Sequence, residues 1–288
     1  MASPLQPYPQ LRSALSHLQG VPPWALLSLV MNGLLFITLV VMLRQLGHTG
    51  EAVLPQANAF AADQYAPAAP PEPDPGSRRS LDYEHWVALL GAEADAMVAD
   101  DAPRQTILLG DSLTLWFPAS MLPGRRTWLN QAISGEKSGG LRDRLYLLDK
   151  TSPEEVFIMV GINDLIWGGS EADLVYNVRM MVTYLHQTHP QARVVVQSIL
   201  PHGGAAATWE GRDRLMAIPP DRIRTVNTQL KAVATETGAD YLDLYPLFVN
   251  GDGYLRADLT TDGLHLNQNG YLVWRTALAL FNETAFQP

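Results

Sequence analysis

Short apolar runs alternate with amphipathic runs over most of the chain, and this alternation constrains the fold more than any other feature. Five runs are typical of buried strands: QTILLG (105–110), TWLNQAI (127–133), EVFIMVG (155–161), ARVVVQSIL (192–200) and DYLDLY (240–245). Helical patterns lie near 139–149, 171–188, 219–237 and 268–282. Strands that alternate with helices form a parallel sheet with helices on both faces. The sequence therefore predicts an α/β fold, a three-layer α/β/α sandwich around a five-stranded parallel sheet.

A second feature is the apolar run WALLSLVMNGLLFITLVVML at 24–43, which contains no charged residue. A helix of about 20 residues spans the roughly 30 Å of a bilayer core with its backbone groups internally bonded. The run therefore predicts one transmembrane helix. A cleaved signal peptide is the main alternative, although the small residues at 57–59 lie far beyond the apolar run. A buried core helix is the other.

The segments around this helix have different compositions. Residues 1–23 form a short N-terminal segment, whereas residues 44–79 are rich in Ala and Pro and lack apolar periodicity, as in an extended linker. The folded domain is predicted to occupy 80–288. The positive-inside rule says little about the orientation of the helix in the membrane, because Arg12 precedes the helix and Arg44 follows it. The linker favours a single-pass membrane protein whose domain is extracytoplasmic.

Charge and cysteine content exclude several classes of function. The net charge is −9, and residues 1–50 contain no acidic residue, so the acidity belongs to the rest of the chain. An acidic domain lacks the basic surface that binds phosphate backbones, which argues against a nucleic-acid partner. The chain has no cysteine, so disulfides, thiolate nucleophiles and Cys-based metal sites are excluded.

Polar residues and glycines follow the predicted strands where a parallel sheet forms its sites. The first strand leads into Gly110-Asp111-Ser112-Leu113, the second into a turn that ends at Gly135, and the third into Gly161-Ile162-Asn163-Asp164. A late segment, Thr261-Asp262-Gly263-Leu264-His265-Leu266-Asn267, precedes the last helix. A serine at a helix N-terminus lies near unpaired N–H groups that favour an oxyanion. An aspartate three residues before a histidine can orient its imidazole as a base.

In identity and order these segments resemble the four motif blocks of the SGNH/GDSL hydrolase family, and the resemblance covers about 103–282. LLGDSL, NQAISG, VGIND and DGLHLN look most like bacterial relatives of the platelet-activating-factor acetylhydrolase catalytic subunits. The resemblance implies the flavodoxin-like fold of that family. It also implies a Ser112, Asp262 and His265 triad, with the N–H of Ser112, the N–H of Gly135 and the side chain of Asn163 as oxyanion donors.

Each motif by itself has an ordinary explanation. Ser112 alone is typical of a helix N-cap, and Asp262 with His265 is typical of a capping pair or part of a metal site. Gly135 and Asn163 are also common in turns. A metal site needs more ligands than this pair. The joint occurrence of all the motifs, in order and at strand ends or on a late loop, favours the triad.

Several neighbouring residues are compatible with more than one role. Trp116, Phe117 and Trp167 could line an acyl pocket, although core packing is the more common use of such residues. His202 is the one other histidine near a strand end. The 201–220 segment is long for a strand-to-helix connection and could be a lid or a surface insertion.

These observations predict a serine hydrolase that cleaves acetyl or other short-acyl esters through an acyl-enzyme, without metal or organic cofactor. The expected substrate is a small-molecule, lipid or glycan ester. An O-acyltransferase acting on envelope polysaccharide would use the same residues. A non-catalytic envelope binding module with the same fold is the third hypothesis.

Overall fold

The computed structural model describes residues 82–285, and its strands form one parallel sheet. The strands are β1 (Gln105–Gly110), β2 (Thr127–Ala132), β3 (Glu155–Met159), β4 (Arg193–Gln197) and β5 (Asp240–Leu242). Their order is β2-β1-β3-β4-β5, and every neighbouring pair is parallel. This is the strand order of flavodoxin-like sheets. The predicted α/β fold with five parallel strands is confirmed.

Helices connect the strands and flank the sheet. They are α1 (Tyr83–Ala99), α2 (Ser112–Leu115), α3 (Ser138–Asp143), α4 (Ile162–Ile166), α5 (Glu171–Thr188), α6 (Arg212–Met216), α7 (Pro220–Thr237), α8 (Tyr245–Phe248) and α9 (Gln268–Ala285). Short 3-10 helices lie at Ala119–Met121, Leu145–Leu148, Gly204–Ala206 and Ala257–Leu259.

The two largest hydrophobic cores lie on opposite faces of the sheet, because successive side chains of a strand point to opposite faces. In β1, Ile107 and Leu109 belong to the core that contains the buried residues of α5 and α7, whereas Leu108 belongs to the core around Trp274 of α9. Strands β3 and β4 alternate in the same way. The helices therefore cover both faces, as the three-layer prediction requires.

The boundaries differ from the predicted ones in a few places. Strand β5 ends at Leu242 because Tyr245 begins α8. The predicted helix at 139–149 is divided into α3 and a 3-10 helix around Arg144, whose φ of −109° and ψ of 8° interrupt the α-helix. Helix α1 was not predicted, although its buried residues follow helical spacing: Trp86, Leu90, Ala94 and Met97.

The predicted N-terminal segment 1–23, transmembrane helix 24–43 and linker 44–79 lie outside the described residues. Within 82–285, no helix is long and apolar enough to span a bilayer.

Candidate active site

Ser112 is the first residue of α2, directly after the turn that ends β1. The N-cap of this helix is Asp111, whose Oδ1 accepts a hydrogen bond of 3.1 Å from the N–H of Leu113. Ser112 is therefore not the cap that its position in the sequence also allowed. Its Oγ lies 3.1 Å from Nε2 of His265. Both residues are buried, since only 6% of the surface of Ser112 and 8% of that of His265 is exposed.

Asp262 fixes the orientation of His265. Its Oδ2 lies 2.8 Å from Nδ1 of the imidazole, and its Oδ1 accepts the N–H groups of Leu264 at 2.9 Å and His265 at 2.8 Å. Burial by itself raises the pKa of Asp262, but the hydrogen bonds from the ring and N–H of His265 outweigh it, so this pKa lies below its ordinary value. An ionised Asp262 keeps the proton of His265 on Nδ1, which leaves Nε2 free to accept the proton of Ser112.

The loop that carries Asp262 and His265 is closed by hydrogen bonds within the loop. The carbonyl of His265 accepts the hydroxyl of Thr260 at 2.6 Å and the N–H of Thr261 at 3.0 Å. Gly263 has φ of +88°, and a Cβ there would lie 2.5 Å from Cβ of Ala207, so only glycine fits between the aspartate and the 201–220 segment.

Gly135 lies in the turn after β2 and has φ of +77°, a conformation that favours glycine. A Cβ at this position would have no heavy atom within 4 Å, so the backbone there borders open space. In the described part of the chain its N–H donates to no group, and the same holds for the N–H of Ser112. Both are donors of the kind that an oxyanion requires.

Asn163 supplies a third donor at the end of β3. Its Nδ2 is buried and has no hydrogen-bond partner among residues 82–285. The side chain lies beside Asp111 and lowers the pKa of that carboxyl, but Nδ2 does not reach hydrogen-bonding geometry there. Strands β2, β1 and β3 are parallel neighbours. The residues that follow them therefore lie at the same carboxyl end of the sheet: Gly135, Ser112 and Asn163.

Buried carboxylates support these turns. Asp164 accepts the N–H of Ser138 at 2.9 Å and its hydroxyl at 2.6 Å, which ties the turn after β3 to the start of α3. Burial raises the pKa of Asp164. Glu136 forms a buried ion pair of 2.5 Å with Arg144, which also donates to the carbonyl of Gln131 at 2.7 Å. The residue after Gly135 is thereby fixed to the end of β2.

Asp111 is fully buried beneath the nucleophile candidate. Burial, together with the nearby carboxylates of Glu136 and Asp164, raises its pKa to about 7. Asp111 caps α2 through Oδ1, so the buried carboxyl keeps a hydrogen-bond partner in either protonation state.

The aromatic candidates lie in three different surroundings. The ring centroid of Trp116 is 4.4 Å from that of His265, so this indole borders the histidine. Phe117 is buried against Tyr271 and Trp274 and belongs to the core. Trp167 is half exposed, and the guanidinium of Arg214 covers its ring at 3.7 Å.

His202 does not join Ser112 and His265. It is buried, its Nδ1 accepts the N–H of Gly204 at 3.0 Å, and its Nε2 lies 2.8 Å from the carbonyl of Ile218. Burial lowers its pKa. Among residues 82–285, no cluster of three or more His, Asp or Glu side chains is arranged to hold a metal ion.

Comparison with known proteins gives this geometry its context. Residues 108–273, more than half of the chain, match the model of the GDSL-like lipase/acylhydrolase family. The chain belongs to this family. It is a GDSL-type carboxylic ester hydrolase, as the resemblance of its motifs implied.

Relatives of the GDSL hydrolase agree with this assignment. The human platelet-activating factor acetylhydrolase IB subunit alpha1 is 28% identical over 192 residues, covering 60% of this chain and 74% of the relative. The fold is also that of a Bacteroides fragilis protein described as an acylhydrolase (TM-score 0.58, 21% identity, covering 72% of this chain and all of the other). A GDSL-like lipase from Bacteroides thetaiotaomicron has a similar fold, with a TM-score of 0.54 and 21% identity; the match covers 68% of this chain and all of the lipase.

Sequence reasoning missed the supporting residues. Glu136 and Arg144 are a buried ion pair of opposite charges eight positions apart, and Ser138 connects Asp164 to Asn177. The one available signal was the charged residue directly after Gly135. Its partner could not be inferred, because two residues eight positions apart lie too far from each other to pair within one helix or strand.

Proposed function

We propose that this GDSL hydrolase cleaves acetyl or other short-acyl esters with Ser112 as nucleophile, His265 as base and Asp262 as the residue that orients the base. The observation that carries the proposal is the continuous chain of hydrogen bonds from Oγ of Ser112 through both ring nitrogens of His265 to Oδ2 of Asp262. In this arrangement each group has one role in nucleophilic catalysis.

The reaction has two steps. Nε2 of His265 takes the proton of Ser112 while Oγ attacks the ester carbonyl, and the imidazolium then protonates the leaving alcohol, which yields the acyl-enzyme. In the second step water attacks the acyl group, gives its proton to His265, and the carboxylic acid leaves as Ser112 regains its proton. The N–H groups of Ser112 and Gly135 and the amide of Asn163 stabilise the negative oxygen in both steps.

Two observations support a short acyl group. The indole of Trp116 is partly buried next to His265 and occupies space beside the imidazole. In addition, the human relative is named as an acetylhydrolase. The substrate class is accordingly a small acetyl ester carried by a lipid, a glycan or an aryl alcohol.

The test is hydrolysis of p-nitrophenyl acetate, butyrate and octanoate by the wild type and by the Ser112→Ala and His265→Ala variants. We expect turnover that falls with acyl length and is lost in both variants. His85→Ala is a matched control, because His85 also pairs with an aspartate three residues earlier, at 2.8 Å, but on the exposed surface. Undiminished turnover in Ser112→Ala would refute the mechanism, and acetylated sugar formed in place of acetate would indicate acyl transfer.

We also propose that residues 24–43 anchor the enzyme in a membrane, with the domain outside the cytoplasm. The support is the run of 20 uncharged residues. Extraction of membranes at alkaline pH tests this: an anchored chain stays in the pellet, whereas a peripheral chain is released.

A further inference from the structure

The segment from Gly203 to Ile218, called the strap below, lies against the loop that carries Asp262. Two consecutive N–H groups of the strap, those of Thr208 and Trp209, donate to the backbone carbonyl of Asp262 at 2.8 and 2.9 Å. At its beginning, the N–H of Gly203 donates to the carbonyl of Gly263 at 2.6 Å. The backbone of the aspartate is therefore held from outside its own loop.

One buried side chain closes the strap at both ends. Nδ1 of His202 accepts the N–H of Gly204, and Nε2 of the same ring lies 2.8 Å from the carbonyl of Ile218. Since an N–H is directed at Nδ1, that nitrogen carries no proton, and the single proton of the neutral ring is on Nε2, where it donates to Ile218. Only 2% of His202 is exposed.

The His202 position is itself fixed by the rest of the domain. Its carbonyl accepts the N–H of Leu255 at 2.9 Å, and its ring packs edge-on against Tyr254, with centroids 5.9 Å apart. Tyr254 also fills the space above Gly204, where a Cβ would come within 2.4 Å of the phenol ring. The ring of His202 thus connects the segment that contains Tyr254 and Leu255 to both ends of the strap.

We propose that His202 is a positioning residue for Asp262: by closing the strap, it places the N–H groups of Thr208 and Trp209 so that they hold the aspartate at the orientation His265 requires. His202 touches neither Ser112 nor His265 and takes no part in proton transfer. The inference rests on the proposed roles of Asp262 and His265. A small displacement of a catalytic group lowers the rate by up to about 100-fold, so the strap contributes to kcat.

The test uses variants of the full chain that separate the two hydrogen bonds. His202→Phe keeps an aromatic ring and removes both bonds. His202→Asn keeps an acceptor near the position of Nδ1, and His202→Gln keeps a donor near that of Nε2. His189→Phe is the matched control, because His189 is also a buried histidine but lies at the end of α5.

Two measurements are made well below each unfolding midpoint. The first is kcat and KM with p-nitrophenyl acetate: we expect kcat of His202→Phe to fall about 10- to 100-fold, with KM changed less than about twofold and with partial recovery in Asn or Gln. The second is amide hydrogen exchange, in which Thr208 and Trp209 should exchange faster in His202→Phe than in His189→Phe.

The exchange measurement keeps the two proposals distinguishable. If the wild type hydrolyses no ester, the proposed function fails, while the exchange of Thr208 and Trp209 still reports whether His202 closes the strap. If the wild type is active and His202→Phe retains its kcat and its protected amides, the inference is wrong. Should His202→Phe not fold, the Asn and Gln variants decide by the same criteria.

Discussion

Nε2 of His265 lies 3.1 Å from Oγ of Ser112, although the two residues are 153 positions apart in the chain. The contact joins the turn after β1 to the loop before α9. Tyr271 on α9 strengthens the same connection, since its hydroxyl donates to the carbonyl of Leu113 at 2.9 Å. The relative position of Ser112 and His265, the proposed nucleophile and base, therefore depends on the docking of the last helix.

The first prediction concerns the tautomer of His265. In Asp262→Asn, Oδ1 still accepts the two backbone N–H groups, but the amide NH₂ faces Nδ1 and moves the imidazole proton to Nε2. Nε2 then cannot accept the proton of Ser112. The corresponding change in a serine-protease triad lowers kcat about 10⁴-fold, and steady-state kinetics with p-nitrophenyl acetate should show a loss of this order. Asp82→Asn, in the exposed pair with His85, should leave kcat unchanged; a loss below about tenfold in Asp262→Asn would contradict the assigned role.

The second prediction is that Asn163→Leu separates activity from stability. Leucine has nearly the same shape and leaves no buried donor without a partner, whereas Nδ2 of Asn163 is such a donor. Loss of one oxyanion donor should lower kcat about 10²- to 10³-fold. Because the lost amide group made no hydrogen bond through Nδ2, the midpoint of urea unfolding should stay the same or rise at about pH 5, where Asp111 keeps its proton. A lowered midpoint with unchanged kcat would assign Asn163 a structural role instead.

The third prediction concerns the buried ion pair between Arg144 and Glu136, the residue that follows Gly135. Arg144 and Glu136 have side chains that are 4% and 2% exposed. Arg144→Leu leaves a buried carboxylate without its partner and should lower the free energy of unfolding by about 3–5 kcal/mol. Replacing both residues by leucine should recover much of this loss, as urea titrations would show. Arg256→Leu, in the exposed pair with Asp258, is the control that should cost little. Equal losses of unfolding free energy in Arg144→Leu and Arg256→Leu would mean that burial of the Glu136–Arg144 pair does not affect stability.

The fourth prediction follows from the pKa of Asp111, which burial raises from 3.8 to about 7. Between these values the folded protein keeps the proton that the unfolded chain releases. By linkage, this group makes stability fall as pH rises through that window, and the loss is complete above the folded pKa. Asp111→Asn keeps an acceptor for the N–H of Leu113 and does not ionise. The variant should therefore lose less stability than the wild type between about pH 4 and pH 8, measured by urea unfolding across the range. Parallel curves for the two proteins would show that Asp111 does not titrate there.

The sequence by itself determined the sheet and the identity of the candidate site residues. The predicted run 105–110 coincides with β1, and the predicted helix at 171–188 coincides with α5. Both are long or strongly apolar segments whose local period shows in the residues. The resemblance of the motifs to the SGNH/GDSL family also predicted Ser112, Gly135, Asn163, Asp262 and His265 as site residues. The first three follow neighbouring parallel strands, whose carboxyl ends lie together.

Only the tertiary structure decided which groups support those residues. His202 is near a strand end, yet its ring closes the strap and does not reach Ser112. Glu136 pairs with Arg144, the residue at which the predicted helix 139–149 is interrupted, and the sequence did not show this interruption. The strap meets Asp262 through backbone N–H groups, which every residue except proline possesses and which leave no trace in the sequence. Such contacts depend on the path of the chain in space, so the local pattern of residue types does not specify them.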